Sequence, residues 1–233
     1  MANELIGITV SVHCASILSL VLPLNLHQFS QWYIITDPDD IDTIRMCQDC
    51  GASNLQLITF NFFHQATFNK GGGIRAAQEV AHKVHPEASI LILDTDIILP
   101  LNLGEVLQNL AFDEDTLFGA SGRFDYPSVT ALLANEYQEY KYGQSFTGFF
   151  QLYTDKKKYY QPSESIDQCD DDFRDSFADI RAIDKLFLRH LGTSGYGIRY
   201  LEQHDREKWD GKNSRPQFDV DRPVNSLDLQ YSV

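Results

Sequence analysis

The chain is expected to fold as an α/β protein built on a mostly parallel central sheet. Three observations predict this. Short apolar, β-rich runs alternate with amphipathic segments at helical spacing over the first hundred residues. The runs are apolar on both faces, as strands covered by helices on each side must be. One of them, Ile90-Leu-Ile-Leu-Asp94-Thr-Asp96-Ile-Ile-Leu-Pro100, carries two acids one residue apart and then stops at a proline.

Residues 5–13 give a first buried strand, with a helical pattern following to about Phe29. Gln31 to Thr36 is the second strand. The turn Thr36-Asp-Pro-Asp-Asp40 caps a helix from about Ile41 to Cys50, which Gly51 stops. Leu55 to Phe62 is the third strand. Gly71-Gly72-Gly73 breaks the chain before a helix from about Ile74 to Val84, and the acidic strand is the fourth. Strands alternating with helices imply parallel pairing through right-handed crossovers. Further on, Leu117–Ser121 and Phe149–Tyr153 read as strands flanking a helical stretch at 129–142. Residues 154–178 read as loop with short helical pieces, and Asp179 to Leu191 has helical periodicity through Ile183, Leu186, Phe187 and Leu191. A last strand is expected at Gly197–Leu201, then a polar tail.

Composition narrows the function classes. A net charge of −14 argues against nucleic acid or anionic membrane bound by bulk electrostatics. The longest apolar run, Ile17 to Leu26, is interrupted by Ser19, Pro23 and Asn25 and is too short to span a bilayer, so a cytoplasmic location is expected. Four cysteines suit a reducing compartment. Cys47 and Cys50 have no second pair to complete a zinc site and read as structural.

In sheets of this kind ligands sit beyond the carboxyl ends of the strands, where His13, Asp37, Asp94 and Asp96 fall. Side chains alternate along a strand, so Asp94 and Asp96 are expected on one face with Thr95 turned away. Two carboxylates at the end of an apolar strand repel one another and lose hydration. A divalent cation or a hydrogen-bonded ligand relieves both penalties, and hard oxygen ligands favour magnesium, manganese or calcium over softer metals. The plainer alternative is a pair of turn-capping acids. Lys70 and Arg75 flank three glycines and supply two cations of the kind a pyrophosphate needs, although a solvated turn gives the same pattern. The run Lys156-Lys157-Lys158 reads as solvated.

Together these segments resemble the nucleotide-sugar glycosyltransferases of the GT-A fold, close to the large inverting family-two-like group. The resemblance rests on Asn69-Lys-Gly-Gly-Gly-Ile-Arg75-Ala, on the D-x-D strand with its proline exit, and on Leu24-Asn25…Phe29 with Ile34-Ile-Thr-Asp37. It rests also on Gly148-Phe-Phe-Gln-Leu152, and on His204 with Trp209-Asp-Gly-Lys212. It covers roughly residues 5–212. It implies a single domain over 1–233, with a nucleotide-sugar-binding half to about 103, a mixed acceptor half over 104–212 and a polar tail over 213–233. It implies transfer of a sugar from a UDP- or GDP-sugar to a glycan or other hydroxyl acceptor, with inversion and with Mn2+ or Mg2+. Asp94, Asp96 and His204 would be the metal ligands. His13, Asp37, Lys70, Arg75, Asp94 and Thr95 would line the nucleotide. The family's paired-acid helix motif keeps one acid here, and the register of Gly195–Leu201 points to Asp184 as the base rather than Asp179 or the Asp170-Asp171-Asp172 cluster.

Three other functions fit parts of the pattern. A haloacid-dehalogenase-like phosphatase carries its D-x-D on the first strand, whereas three strands precede it here. A sugar-nucleotide nucleotidyltransferase wants a glycine-rich loop after strand one, and residues 13–22 contain no glycine. A non-catalytic sugar- or nucleotide-binding module on the same fold shares every feature except a base.

Overall fold

The computed structural model describes residues 4–64, 67–143, 146, 148–162 and 166–192. The elements in chain order are β1 (Leu5–Val10), α1 (Ala15–Asn25) extended by a 3-10 turn, β2 (Gln31–Thr36), α2 (Ile41–Cys50), β3 (Leu55–Thr59), β4 (Phe63–His64), β5 (Thr67–Phe68) and α3 (Lys70–Val84). They continue with β6 (Ser89–Leu93), β7 (Ile97–Ile98), α4 (Leu103–Gln108), β8 (Thr116–Tyr126), α5 (Val129–Ala134), β9 (Gln138–Lys141), β10 (Phe150–Tyr153), α6 (Ile166–Asp175) and β11 (Asp179–Leu191).

The main sheet runs β3-β2-β1-β6-β10-β8-β11-β7, with β9 added beside β8. β3, β2, β1 and β6 are parallel, as expected, and β10 enters antiparallel between β6 and β8. β8 and β11 then pair in parallel over ten ladder positions. Alternate residues feed two separate cores. Leu91 and Leu93 pack with α1 on one face, while Ile90 and Ile92 pack with Ala77 and Ala81 of α3 on the other. The expected α/β class, a mostly parallel central sheet flanked by helices, is what the structure has. No helix among the described residues is long and apolar enough to cross a membrane.

Local chemistry explains the boundaries that were legible. Asp40 caps α2 by accepting from the Thr43 amide at 3.2 Å, and Gly51 ends that helix at φ +60°. Four expectations are overturned. The three glycines do not break the chain: α3 starts at Lys70, because the Asn69 side chain accepts from the Gly72 amide at 2.8 Å and caps the helix. The helical stretch at 129–142 stops at Asn135, whose left-handed backbone (φ +55°) turns the chain into β9. The segment 179–191 is a strand. Its helical periodicity comes from an irregularity between Ile183 and Phe187, which shifts the alternation by one position so that Ile183, Leu186, Leu188 and His190 all turn inward. The lysine run is not solvated throughout: Lys156 Nζ bonds the Ala88 carbonyl at 2.5 Å, and Lys158 pairs with Asp115 at 2.5 Å. The expected strand at Gly197–Leu201 lies outside the described residues.

Candidate active site

β6 ends at Leu93, so Asp94-Thr95-Asp96 forms the turn into β7 rather than the end of the strand itself. This turn is fastened from three sides. The Asp94 amide donates to the Phe149 carbonyl at 3.2 Å, and the Asp96 carbonyl accepts from the Leu191 amide at 2.8 Å. The buried Asn25 of α1 donates to the Ile97 carbonyl at 2.7 Å and accepts from the Leu99 amide at 2.9 Å. Thr95 turns away, as expected, and its hydroxyl donates to the Val10 carbonyl at 2.7 Å. Thr95 therefore anchors the turn to β1.

Each acid of the turn meets a different cation. Lys70, at the first position of α3, places Nζ 3.2 Å from Asp94 Oδ1 and 2.9 Å from Asp170 Oδ2 of α6. Burial opposes the charge on this ammonium, but the Asp170 and Asp94 carboxylates outweigh it and hold its pKa well above the ordinary lysine range. Asp94 is itself pushed up, first by burial and then by repulsion from Asp170 and Asp96, with Lys70 pulling the other way. Behind Asp170, the single proton of the Tyr160 hydroxyl is shared between Gln151 Oε1 and Asp170 Oδ1, the latter at 3.0 Å, and Gln151 Nε2 donates to the Asp170 carbonyl at 3.1 Å. A Cβ on Gly148 would lie 2.2 Å from the Asp170 carboxyl, so only glycine lets α6 bring this acid down over the start of β10.

Asp96 lies on the other side. Its Oδ2 is 3.3 Å from His190 Nε2, while His190 Nδ1 is 2.9 Å from Asp125 Oδ1. Asp125 is in turn 2.8 Å from Arg123 Nε, and the Arg123 guanidinium lies over the rings of Phe149 and Tyr142. Burial disfavours a charged His190, but Asp96 and then Asp125 raise its pKa to about 9. Burial likewise disfavours the Asp96 carboxylate, and His190 outweighs it to hold the acid below its usual range. Asp96 Oδ1 is buried and finds no hydrogen-bond partner beyond its own backbone.

The expected site residues divide accordingly. Asp94, Asp96 and Lys70 come together. Lys70 is enclosed between two carboxylates rather than open to a phosphate. Arg75 is turned outward, bonded to Glu79 and Gln161 at 3.2 Å each and lying over the Tyr159 ring. Asp37 spends both oxygens on the backbone, accepting from Asp39 at 3.0 Å and Phe62 at 3.3 Å. His13 adopts a left-handed backbone (φ +55°) with its amide on Asp40 at 2.6 Å. Asp184 is corrected: it is exposed on the irregularity of β11, not on a helix. That point lies opposite Ser121, four ladder positions from the Asp125–His190 pair, or about 13 Å at the strand rise. Asp179 begins the same strand and pairs with Arg181. His204 lies outside the described residues.

Asp170, Tyr160, Gln151, His190, Asp125 and Arg123 join the site from beyond the expected set. The spacing of Arg123 and Asp125 could have placed them on one face of a strand, had that strand been extended past Ser121. His190 was hidden by the helical reading of its segment.

Lys70 and His190 already offset charge on the two acids, and Asp96 Oδ1 is left as a buried oxygen that a ligand could complete. Among the described residues no group of three or more His, Cys, Asp or Glu side chains is gathered to enclose a divalent ion. Asp94 and Asp96 are the residues that would hold such an ion, with ligand oxygens or water completing its shell.

No protein-family model matches the chain, and no curated protein matches it. Among solved structures it is similar to a 4-diphosphocytidyl-2C-methyl-D-erythritol synthase (12% identity, TM-score 0.34, covering 47% of this chain and 54% of that one). It is similar also to the corresponding synthase from Anaerococcus prevotii (11% identity, TM-score 0.35, 52% of this chain and 56% of that one). A third is a putative glucose-1-phosphate thymidylyltransferase from Bacillus anthracis in complex with a sucrose (11%, TM-score 0.42, 80% of this chain and 86% of that one). The chain thus matches about half the length of the first two.

Proposed function

We propose that the protein is a cation-assisted glycosyltransferase that moves a sugar from a nucleoside diphosphate sugar to a hydroxyl acceptor with inversion. The observation that carries this reading is Asp96. It is an acid in the turn after the central strand, held below its usual range by His190, with one oxygen beside the imidazole and the other buried with no side-chain partner. A fold keeps such an oxygen most readily where a ligand completes it.

Asp94 and Asp96 would hold a divalent cation, which would offset the negative charge that develops on the departing diphosphate. Lys70 adds a positive charge beside Asp94. Inversion needs a base to take the acceptor's proton while the acceptor oxygen bonds the anomeric carbon. The electrons of the broken glycosyl–phosphate bond pass to the diphosphate. Asp170 takes this role in place of Asp184. It stands beside Lys70 and Asp94, and Tyr160 and Gln151 fix its orientation. Burial pushes the Tyr160 phenol upward, so Tyr160 remains a hydrogen-bond donor to the carboxylate.

Thermal melting with UDP or GDP, with and without Mn2+, tests donor binding first, because a ligand specific for the folded state raises its stability. We expect a nucleotide shift that needs Mn2+ and vanishes in Asp96→Ala. Asp170→Asn should keep the shift and lose transfer. A metal-independent shift, or full transfer by Asp170→Asn, would sink the corresponding assignment. Release of pyrophosphate from a nucleoside triphosphate and a sugar phosphate would point instead to nucleotidyl transfer. Against that outcome, the connection after β1 (Ser11-Val-His-Cys14) has no glycine to admit a triphosphate closely.

A further inference from the structure

We infer that His190 and Asp125 are positioning residues that tie one oxygen of Asp96 and leave the other free to take the cation. The inference rests on the cation-assisted reading of the site and extends it to side chains outside the D-x-D segment. Both ring nitrogens of His190 face carboxylates, Nε2 toward Asp96 Oδ2 at 3.3 Å and Nδ1 toward Asp125 Oδ1 at 2.9 Å. Each contact needs an N–H, so the ring donates at both ends. Asp125 is 2% exposed and is fixed by Arg123, whose guanidinium rests on two aromatic rings. Charges therefore alternate along a buried row: Arg123, Asp125, His190, Asp96. His190 faces Oδ2 of Asp96, so Oδ1 is the oxygen left over. A carboxylate that holds a ligating side chain through an imidazole is a recurrent support for metal sites. Here the order runs carboxylate, imidazole, carboxylate, and the last member is the ligand.

β11 brings His190 to this place by pairing with β7 immediately after the acid turn, with His190 opposite Ile97. The same strand fixes the turn's backbone through the Leu191 amide. The support thus reaches both the main chain and the side chain of Asp96. A purely structural ion row would stabilise the fold without altering cation affinity, and this difference can be measured.

The test is Mn2+ binding to the full chain without nucleotide, read from the electron paramagnetic resonance signal of free Mn2+. His190→Leu should weaken binding about ten- to hundredfold, the usual effect of removing an outer support. Asp125→Asn should weaken it about tenfold. His190→Gln, which keeps a donor toward Asp96, should recover binding to within about threefold of the natural protein. Unchanged affinity in His190→Leu or in Asp125→Asn overturns the inference while leaving the cation site standing. Equal loss in His190→Gln and His190→Leu also overturns it, since His190 would then be a ligand itself. Absence of Mn2+ binding by the natural protein overturns the cation reading and the inference together.

Discussion

Asp94 meets its cation from the helical layer, and Asp96 meets its cation from within the sheet. Lys70 comes from the first turn of α3 and is shared with Asp170 of α6, so this arm depends on how two helices sit against the sheet. His190 and Asp125 come from adjacent, hydrogen-bonded strands, so the other arm is set by ladder register. Asp94 is 37% exposed and its pKa is raised by burial and by neighbouring acids, whereas Asp96 is 15% exposed and its pKa is lowered. The comparison teaches a division of labour. The sheet arm holds Asp96 beside His190, with its carboxyl below the usual range. The helix arm carries Lys70 paired with Asp170, the proposed base.

The strongest way to break the comparison is Lys70→Met. It leaves Asp94 and Asp170 facing one another without a cation. Removing one partner of a buried ionic cluster costs about 3–5 kcal/mol, and the partial exposure of Asp94 places the expectation at about 3 kcal/mol in urea unfolding. Mn2+ should restore part of that loss. Natural-like stability without Mn2+ would show that the helix arm does not need its lysine.

Acid should loosen the helix arm first, through a group outside the site. His82 of α3 is buried against the Tyr153 hydroxyl at 3.1 Å, and burial lowers its pKa to about 4 from 6.5. Its neutral form is the folded one, so its contribution is complete above pH 6.5. It is lost as pH falls toward about 4, amounting to up to about 3 kcal/mol. Denaturant titrations across that range should show this slope in the natural protein and a flatter one in His82→Gln. An unchanged slope would assign the acid sensitivity to the site carboxylates instead.

Gly148→Ala pushes first on the Asp170 carboxyl. A cost of about 2 kcal/mol is expected from the overlap, with reduced transfer and unaltered Mn2+ affinity. Weakened Mn2+ binding in this variant would mean that the two arms are coupled. The smallest effect belongs to Asp184→Asn. As an exposed side chain on the irregularity of β11, it should change stability by less than about 0.5 kcal/mol and leave transfer untouched. A large loss of transfer would return the base to β11.

What could be read from the sequence follows from which interactions are local. The parallel strands β1, β2 and β6 announce themselves as apolar runs because both faces are buried, and α2 is bounded by its own Asp40 cap and Gly51 stop. The acid pair and Thr95 turning away were likewise visible in residue type and spacing, whereas Lys70 was read as a phosphate ligand and its place beside Asp94 was not. Even the Leu24-Asn25 segment was marked, although only packing reveals that Asn25 clamps the exit from the acid turn. The misreadings occur where local and long-range signals conflict. In 179–191 the irregularity between Ile183 and Phe187 imitates a helical stripe, and ten ladder pairs with β8 outweigh it. At 70–73 glycine's weak helix propensity was overridden by the Asn69 cap and by close packing, since a Cβ on Gly71 would strike the Gln161 carbonyl at 2.1 Å.

The sequence by itself determined the class of sheet and the place of the two acids, because burial on both faces and strand-end chemistry are written within a few residues. Only the tertiary structure decided which partners those acids have. Lys70 and Asp170 are a hundred positions apart, Asp96 and His190 nearly as far, and no periodicity along the chain encodes a contact made across the sheet.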